Sequence, residues 1–260
     1  MRAAAEKLGF LRDSLARAGL EKPETHGRVG LGHRDADTCL KGGLCRGALH
    51  EIFPVDPGDE AAATGLATVF AARVAARKRV LWIAPDFAAL EHGEISPLGL
   101  LELGLDPARF LLLRAPDSVS VLRAAADALT CRALGALVME IPGTVRALDL
   151  AASRRLVLAA AESGVTVFLL RCSAEPEPSA AETRWLVRAA HSDIQNENWG
   201  HPLFEAQLVR NRHGPTGQWL MEWNGDDQRF RAADPGAVVS ASCDRPFAAA
   251  DARTKLSRVA

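Results

Sequence analysis

Between residues 48 and 171, apolar residues come in short, nearly unbroken runs, separated by stretches in which they recur every three or four positions. The runs are ALHEIF (48–53), RVLWIA (79–84), FLLLRA (110–115), ALVMEI (136–141) and VTVFLLR (165–171). Several are closed by Pro or Gly, and their composition is that of buried strands. Ala61–Arg77, Ser118–Cys131 and residues 146–162 carry the helical period between them. Strands this apolar, alternating with helices, predict an α/β fold. Its sheet is mostly parallel, doubly wound and covered on both faces.

The ends of the chain read differently. Residues 3–18 predict a short amphipathic N-terminal helix, with Leu8, Leu11 and Leu15 at helical spacing and Gly19 as its stop. Residues 20–45, rich in Gly, His and charge, read as an irregular connection. AEPEPSAAE (174–182) reads as a loop, and Arg184–Ala190 as strand or short helix. Residues 203–212 and 218–224 flank His213-Gly214-Pro215-Thr216-Gly217 and predict a C-terminal β-hairpin. From Asp234 onward no period is visible, which reads as a disordered tail. The expected division is an N-terminal helix and linker (1–45), a core (46–232) and a tail (233–260).

Composition narrows the class without naming a function. A hydrophobic fraction of 48% and a charged fraction of 24% suit a folded globular domain. The net charge of −1 exerts no overall pull towards nucleic acid. Cys39, Cys45, Cys131, Cys172 and Cys243 contain no C-x-x-C pair, and their odd number suits a reducing compartment. The first residues lack the apolar core of a secretory signal, and no apolar stretch approaches the ~20 residues of a membrane span. A cytoplasmic protein without membrane association is expected. His191 and His201 lie too far apart for zinc spacing, and no metal or nucleophile signature is present.

The chemistry turns on the first strand-to-helix connection. In a doubly wound sheet this turn faces the ligand crevice, and a helix start there offers free N–H groups to an anion. A phosphate-binding loop fills it with G-x-x-x-x-G-K-[ST], in which the Lys neutralises phosphate and the hydroxyl holds Mg²⁺. Here the turn is Pro54-Val55-Asp56-Pro57-Gly58-Asp59-Glu60-Ala61, and no Gly-Lys occurs anywhere. The lysine position falls at Glu60 and the hydroxyl position at Ala61. Two like charges ~4 Å apart repel by about 4 kcal/mol at an effective dielectric of ~20. A triphosphate against Asp56, Asp59 and Glu60 is therefore disfavoured, and the nearest lysine, Lys78, sits a full helix away. The loop reads as degenerate, and neither catalytic residues nor a cofactor are expected.

Asp37-x-x-Leu40-x-Gly42-Gly43-Leu44-x-Arg46-Gly47-x-x-x-Glu51-Ile52 resembles the start of the RecA/RadA/KaiC-type core. Downstream, LWIAPD resembles the strand that ends in the catalytic acid, with Asp86 near that position. ALVMEI resembles the Walker B strand, with Glu140 where an Asp ordinarily holds Mg²⁺. VTVFLLR resembles the γ-phosphate-sensing strand but ends in Arg171, and LVRNRHG resembles a late strand with paired basic residues, Arg210 and Arg212. Within that superfamily the chain is similar to the ImuA family over roughly residues 36–232, most specifically in GGL-x-RGALHEI. The resemblance implies a RecA-like core and a non-catalytic accessory in SOS-induced translesion synthesis. It also implies contacts with an ImuB-like protein, RecA and an error-prone C-family polymerase, with DNA engaged only indirectly, and leaves room for a homo-oligomer.

Each singled-out group has a plainer reading. Asp59, Glu60, Ala61, Asp86 and Glu140 mark a vestigial nucleotide site; Asp86 and Glu140 are either a surviving acid pair or polar strand ends. Arg210 and Arg212, two apart on a strand, share a face. They reach a partner or DNA, or guard a sheet edge. Leu8, Leu11 and Leu15 dock on a neighbour or cover the chain's own core. Trp199, Trp219 and Trp223 read as core. The acidic 174–182 loop lacks the basic and aromatic residues of a single-strand grip. Two rival functions stand beside the adaptor: a SulA-like division inhibitor and a residual RecA-like ATPase.

Overall fold

The computed structural model describes residues 26–190 and 201–233. It opens with a two-stranded antiparallel ribbon, β1 (Arg28–Val29) and β2 (Leu44–Cys45), bracketing helix α1 (Arg34–Cys39). Strand β3 (Leu49–Pro54) leads through a 3₁₀ turn at Pro57–Asp59 into helix α2 (Glu60–Ala75). Then come β4 (Arg79–Pro85), short helices α3 (Ala88–His92) and α4 (Pro97–Glu102), β5 (Phe110–Ala115), α5 (Ser118–Ala128) and β6 (Leu134–Glu140). Helix α6 (Leu150–Ser163), β7 (Thr166–Leu170), β8 (Thr183–Ala189), β9 (Leu203–Asn211), β10 (Gly217–Asn224) and β11 (Arg229–Ala232) complete it.

The main sheet has nine strands in the order β11-β10-β9-β8-β3-β7-β6-β4-β5. From β8 to β5 every neighbour is parallel, and β9, β10 and β11 extend it antiparallel. This is the mostly parallel RecA-like α/β core that the pattern predicts, with β3 at its centre. Parallel strands buried on both faces must be apolar throughout, which is why β6 and β7 read as continuous runs.

The two faces carry separate cores. On one, α2 lies across Ile52, Val138, Phe168 and Trp185. It is apolar almost all round (EAAATGLATVFAARVA), as a helix buried on most sides must be. Its Phe70 meets Trp185 and Phe230 edge-on at 5.4 and 5.7 Å. Helix and sheet approach so closely that a Cβ at Gly135 would stand 2.5 Å from the Ala75 Cα. On the other face, α5 and α6 bury Val121, Ala125, Leu156 and Ala160 against Ile83, Leu137 and Val167.

Residues 26–45 depart from the expected irregular connection. Leu31, Ala36, Leu40 and Leu44 are buried in the α2-side core. The Asp37 carboxylate accepts from the Leu31 N–H at 2.6 Å and the Gly32 N–H at 2.9 Å. Gly43 holds φ +119°, and a Cβ there would overlap the Val29 carbonyl. The Phe230 N–H donates to Leu31 O at 3.0 Å, joining this block to β11. Two-residue strands and a six-residue helix are too short to show a period, so the pattern misses them. It also misses β11, α3 and α4. The 184–190 segment is a strand, settled by pairing with β3 and β9. The expected N-terminal helix with Leu8, Leu11 and Leu15, the C-terminal tail, Trp199 and His191 lie outside the described residues. No helix among the described residues is long and apolar enough to cross a membrane.

Candidate functional site

Parallel strands place their carboxyl ends together, so the turns after β3, β4, β6 and β7 line one crevice. The turn after β3 is held by its own acids. Asp59 is only 8% exposed. One oxygen accepts from the Ala189 N–H of β8 at 3.0 Å, the other from the Asp56 N–H at 3.1 Å. The Arg188 guanidinium stands 3.6 Å from Asp59 and donates to Asp56 at 2.9 Å. The Val55 N–H donates to Val187 O at 2.9 Å. Backbone N–H groups and a guanidinium, the groups that would cradle a phosphate, converge instead on a carboxylate of the same chain.

Gly58 also differs from a phosphate-loop glycine. Its φ is not in the left-handed region, and a Cβ built there meets nothing within 4 Å. Glu60 opens α2, where the helix dipole favours an acid, and its carboxylate accepts from the Ser173 hydroxyl at 3.3 Å. Ala61 is exposed.

Glu140, at the end of β6, accepts from the Trp82 indole N–H of β4 at 2.6 Å. Glu60 and Glu140 both face Cys172: its thiol is pushed up to about 12, first by burial and then by these two carboxylates. Asp86 is exposed past the end of β4, its N–H donating to Ala115 O at 2.8 Å, and its charge acts on Arg114. The structure therefore brings Glu60 and Glu140 towards one point and sends Asp86 towards β5. Among the described residues, no cluster of three or more His, Cys, Asp or Glu is arranged to hold a metal ion.

Arg171 follows β7 but is spent inside the fold. It is buried, donates to Gly143 O at 2.9 Å, stands 3.8 Å from Glu177 and lies 5.9 Å from the centre of the Phe53 ring. Burial pushes its pKa down, against Glu177 and Glu51. On the same ring sits Arg184, whose Nε donates to Glu51 at 2.7 Å in a buried pair. Arg184 also bonds Glu177 O and Ser179, so the 174–182 loop is pinned to the sheet.

Arg210 lies opposite Arg184 across β8 and β9, next to a register shift, and is half-buried; Arg212 falls just beyond the strand and is exposed. Strand β9 is interior to the sheet, so guarding an edge is not their role. Trp223 is buried in the core, and Trp219 packs on Trp185 with ring centres 6.1 Å apart. Arg188, Ala189 and Trp82 are the residues that sequence reasoning missed. The Asp59–Ala189 contact spans 130 positions, and no local signal reports it.

The block that carries the family resemblance is structural. Leu40, Leu44 and Ile52 are core, and Asp37 ties the N-terminal block. Glu51 balances Arg184, and the Gly47 N–H donates to Thr166 Oγ1 at 3.0 Å. No family-wide sequence profile matches the chain. Protein ImuA from two strains of Caulobacter vibrioides is 30% identical over 241 residues, spanning 86% of this chain and 93% of the relative. With that likeness covering most of both chains, the chain belongs to the ImuA family.

Proposed function

We propose that this protein is a non-catalytic, RecA-like adaptor in the SOS response to DNA damage, supporting error-prone translesion synthesis through protein–protein contacts. The observation that carries the reading is the Asp59 carboxylate, seated among the N–H groups and the arginine that a phosphate would need. A nucleotide entering this turn would have to displace an internal ion pair and meet Glu60 and Glu140. Membership of the ImuA family supports a role in damage-induced mutagenesis. The partners are an ImuB-like protein, RecA and a C-family polymerase, with DNA reached through them.

The edge of the sheet formed by β5 supports an assembly role. β5 pairs with β4 alone among the described strands, and its Leu111, Leu112 and Leu113 are 41%, 53% and 42% exposed. Natural edges are usually blunted by charge or cover. Here the one charge, Arg114, is engaged by Glu94. Such an edge suits an extended partner segment that adds as a further strand.

Isothermal titration with ATP·Mg²⁺ tests the non-catalytic half: no binding is expected up to millimolar nucleotide. Low-micromolar binding that weakens in Asp86→Asn or Glu140→Gln would overturn it. Size-exclusion chromatography with the ImuB-like protein tests the adaptor half: co-elution is expected, and Leu112→Lys should abolish it. Separate elution of the unmodified proteins at micromolar concentration counts against an adaptor.

A further inference from the structure

On the face opposite α2, helices α5 and α6 run side by side without closing over the space between them. The gap is a groove of about 430 Å³, within the ~300–1,000 Å³ range typical of ligand pockets. Its floor is Leu122, Leu129 and Leu156, and small residues, Ala126, Ala152 and Ala159, keep it open. Side chains this small leave room for the larger apolar groups of another element.

The rim is charged with one sign. Arg123 on α5 and Arg155 on α6 both line the groove, and both are exposed. Neither lies within salt-bridge distance of a carboxylate among the described residues. Arg123 does act on Asp117 at the start of α5, but that carboxylate is held first by the Ser120 N–H. Towards the carboxyl ends of the helices the groove continues past Thr130 to Arg132 and Glu162, where the two signs balance. Positive charge is thus in excess at the deep, apolar part.

We propose that the α5–α6 groove docks an acidic amphipathic helix of a partner protein, its apolar stripe on the leucine floor and its carboxylates on Arg123 and Arg155. Helix-in-groove recognition reads apolar anchors at i, i+3, i+4 and i+7, and rim charges select the partner and steer its approach. A basic helix or a second copy of this chain presenting the same arginines would bring like charges together across the groove. The inference is independent of nucleotide binding at the turn after β3 and of strand addition at β5, which lie elsewhere on the sheet.

Fluorescence anisotropy with two stapled, labelled helical peptides tests it. Both carry leucines at i, i+3, i+4 and i+7; one is flanked by Glu and the other by Lys. The full chain should bind the Glu peptide at least tenfold more tightly. Arg123→Glu with Arg155→Glu should reverse the preference, and Ala126→Trp, which fills the groove from an exposed position, should abolish binding of both. Circular dichroism verifies that each variant keeps its fold. Equal affinity for the two peptides overturns the proposal, as does Glu-peptide binding that survives both sets of substitutions. A concentration-dependent dimer in sedimentation velocity that Ala126→Trp dissolves would assign the groove to a second copy and overturn it equally.

Discussion

The Trp82 indole and the Glu140 carboxylate meet at 2.6 Å across the neighbouring strands β4 and β6. The bond gives Glu140 a structural task where a Walker B acid would hold a metal. Removing the acceptor in Glu140→Ala should cost about 1.5–3 kcal/mol, the range for a hydrogen bond to a charged group. Glu140→Gln retains an acceptor and should cost less than half as much. Urea denaturation of the two variants checks the ordering. Equal loss in both would show that charge, and not the bond to Trp82, is what this position supplies.

Asp59 should resist conversion of the turn into a phosphate site. Asp59→Asn weakens its bonds to Asp56, Ala189 and Arg188 and should destabilise the fold by roughly 1–2 kcal/mol. The exposed Asp56 is worth less than ~1 kcal/mol as a surface pair. Glu60→Lys combined with Ala61→Ser restores the missing residue types, yet with Asp59 in place calorimetry should still detect no ATP·Mg²⁺ binding. Micromolar affinity in that variant would count against an internally filled turn.

Two glycines should respond oppositely to alanine. Gly58→Ala places a methyl in open space at an ordinary backbone conformation and should stabilise by about 0.4–1 kcal/mol, through the unfolded chain. Gly43→Ala meets both a positive φ and the Val29 carbonyl and should destabilise by more than that. Thermal melts read both signs directly.

His50 makes stability depend on pH. Burial, the largest influence, lowers its pKa from 6.5 to about 4. Its Nε2 lies 2.9 Å from Cys45 O and its Nδ1 2.7 Å from Thr183 Oγ1, which in turn accepts from Trp185. A neutral ring donating through Nε2 and accepting at Nδ1 satisfies all three. Because the folded pKa lies below the unfolded one, the unfolded chain binds the extra proton first. The contribution is complete above about pH 6.5 and is lost as pH falls towards 4, a change of roughly 3 kcal/mol. Chemical denaturation at stepped pH should show this slope, and His50→Gln should flatten it.

The buried pair Glu51–Arg184 should behave as a unit. The side chains are 4% and 12% exposed. Glu51→Ala strands a buried guanidinium and should cost about 3–5 kcal/mol, whereas replacing both partners with apolar residues should cost much less than the sum of the single changes. A double-mutant cycle in urea measures the difference; simple additivity would mean that the two groups are not coupled.

The core was legible because the central parallel strands are buried on both faces and so spell apolar runs, and the exposed edge strand β5 is as apolar as they are. FLLLRA coincides with β5 residue for residue. The N-terminal block was not legible as structure: α1 has six residues, β1 and β2 two each, and their order comes from docking on Phe230 and α2. At the site, Asp59 and Glu60 stood out by charge, and Glu140 by position in its strand. What they touch did not, since Arg188, Ala189 and Trp82 arrive from strands distant in sequence. Sequence pattern reports which face a residue occupies; it does not report which distant backbone group completes its hydrogen bonds.

Under the proposed non-catalytic reading, a turn that holds a carboxylate of its own has one state, with no loaded form to relax and no leaving group whose departure could reset it. If the protein joins a repair assembly, the clock for that assembly is set outside this fold, by how many copies the cell makes, how fast they dissociate and when they are degraded.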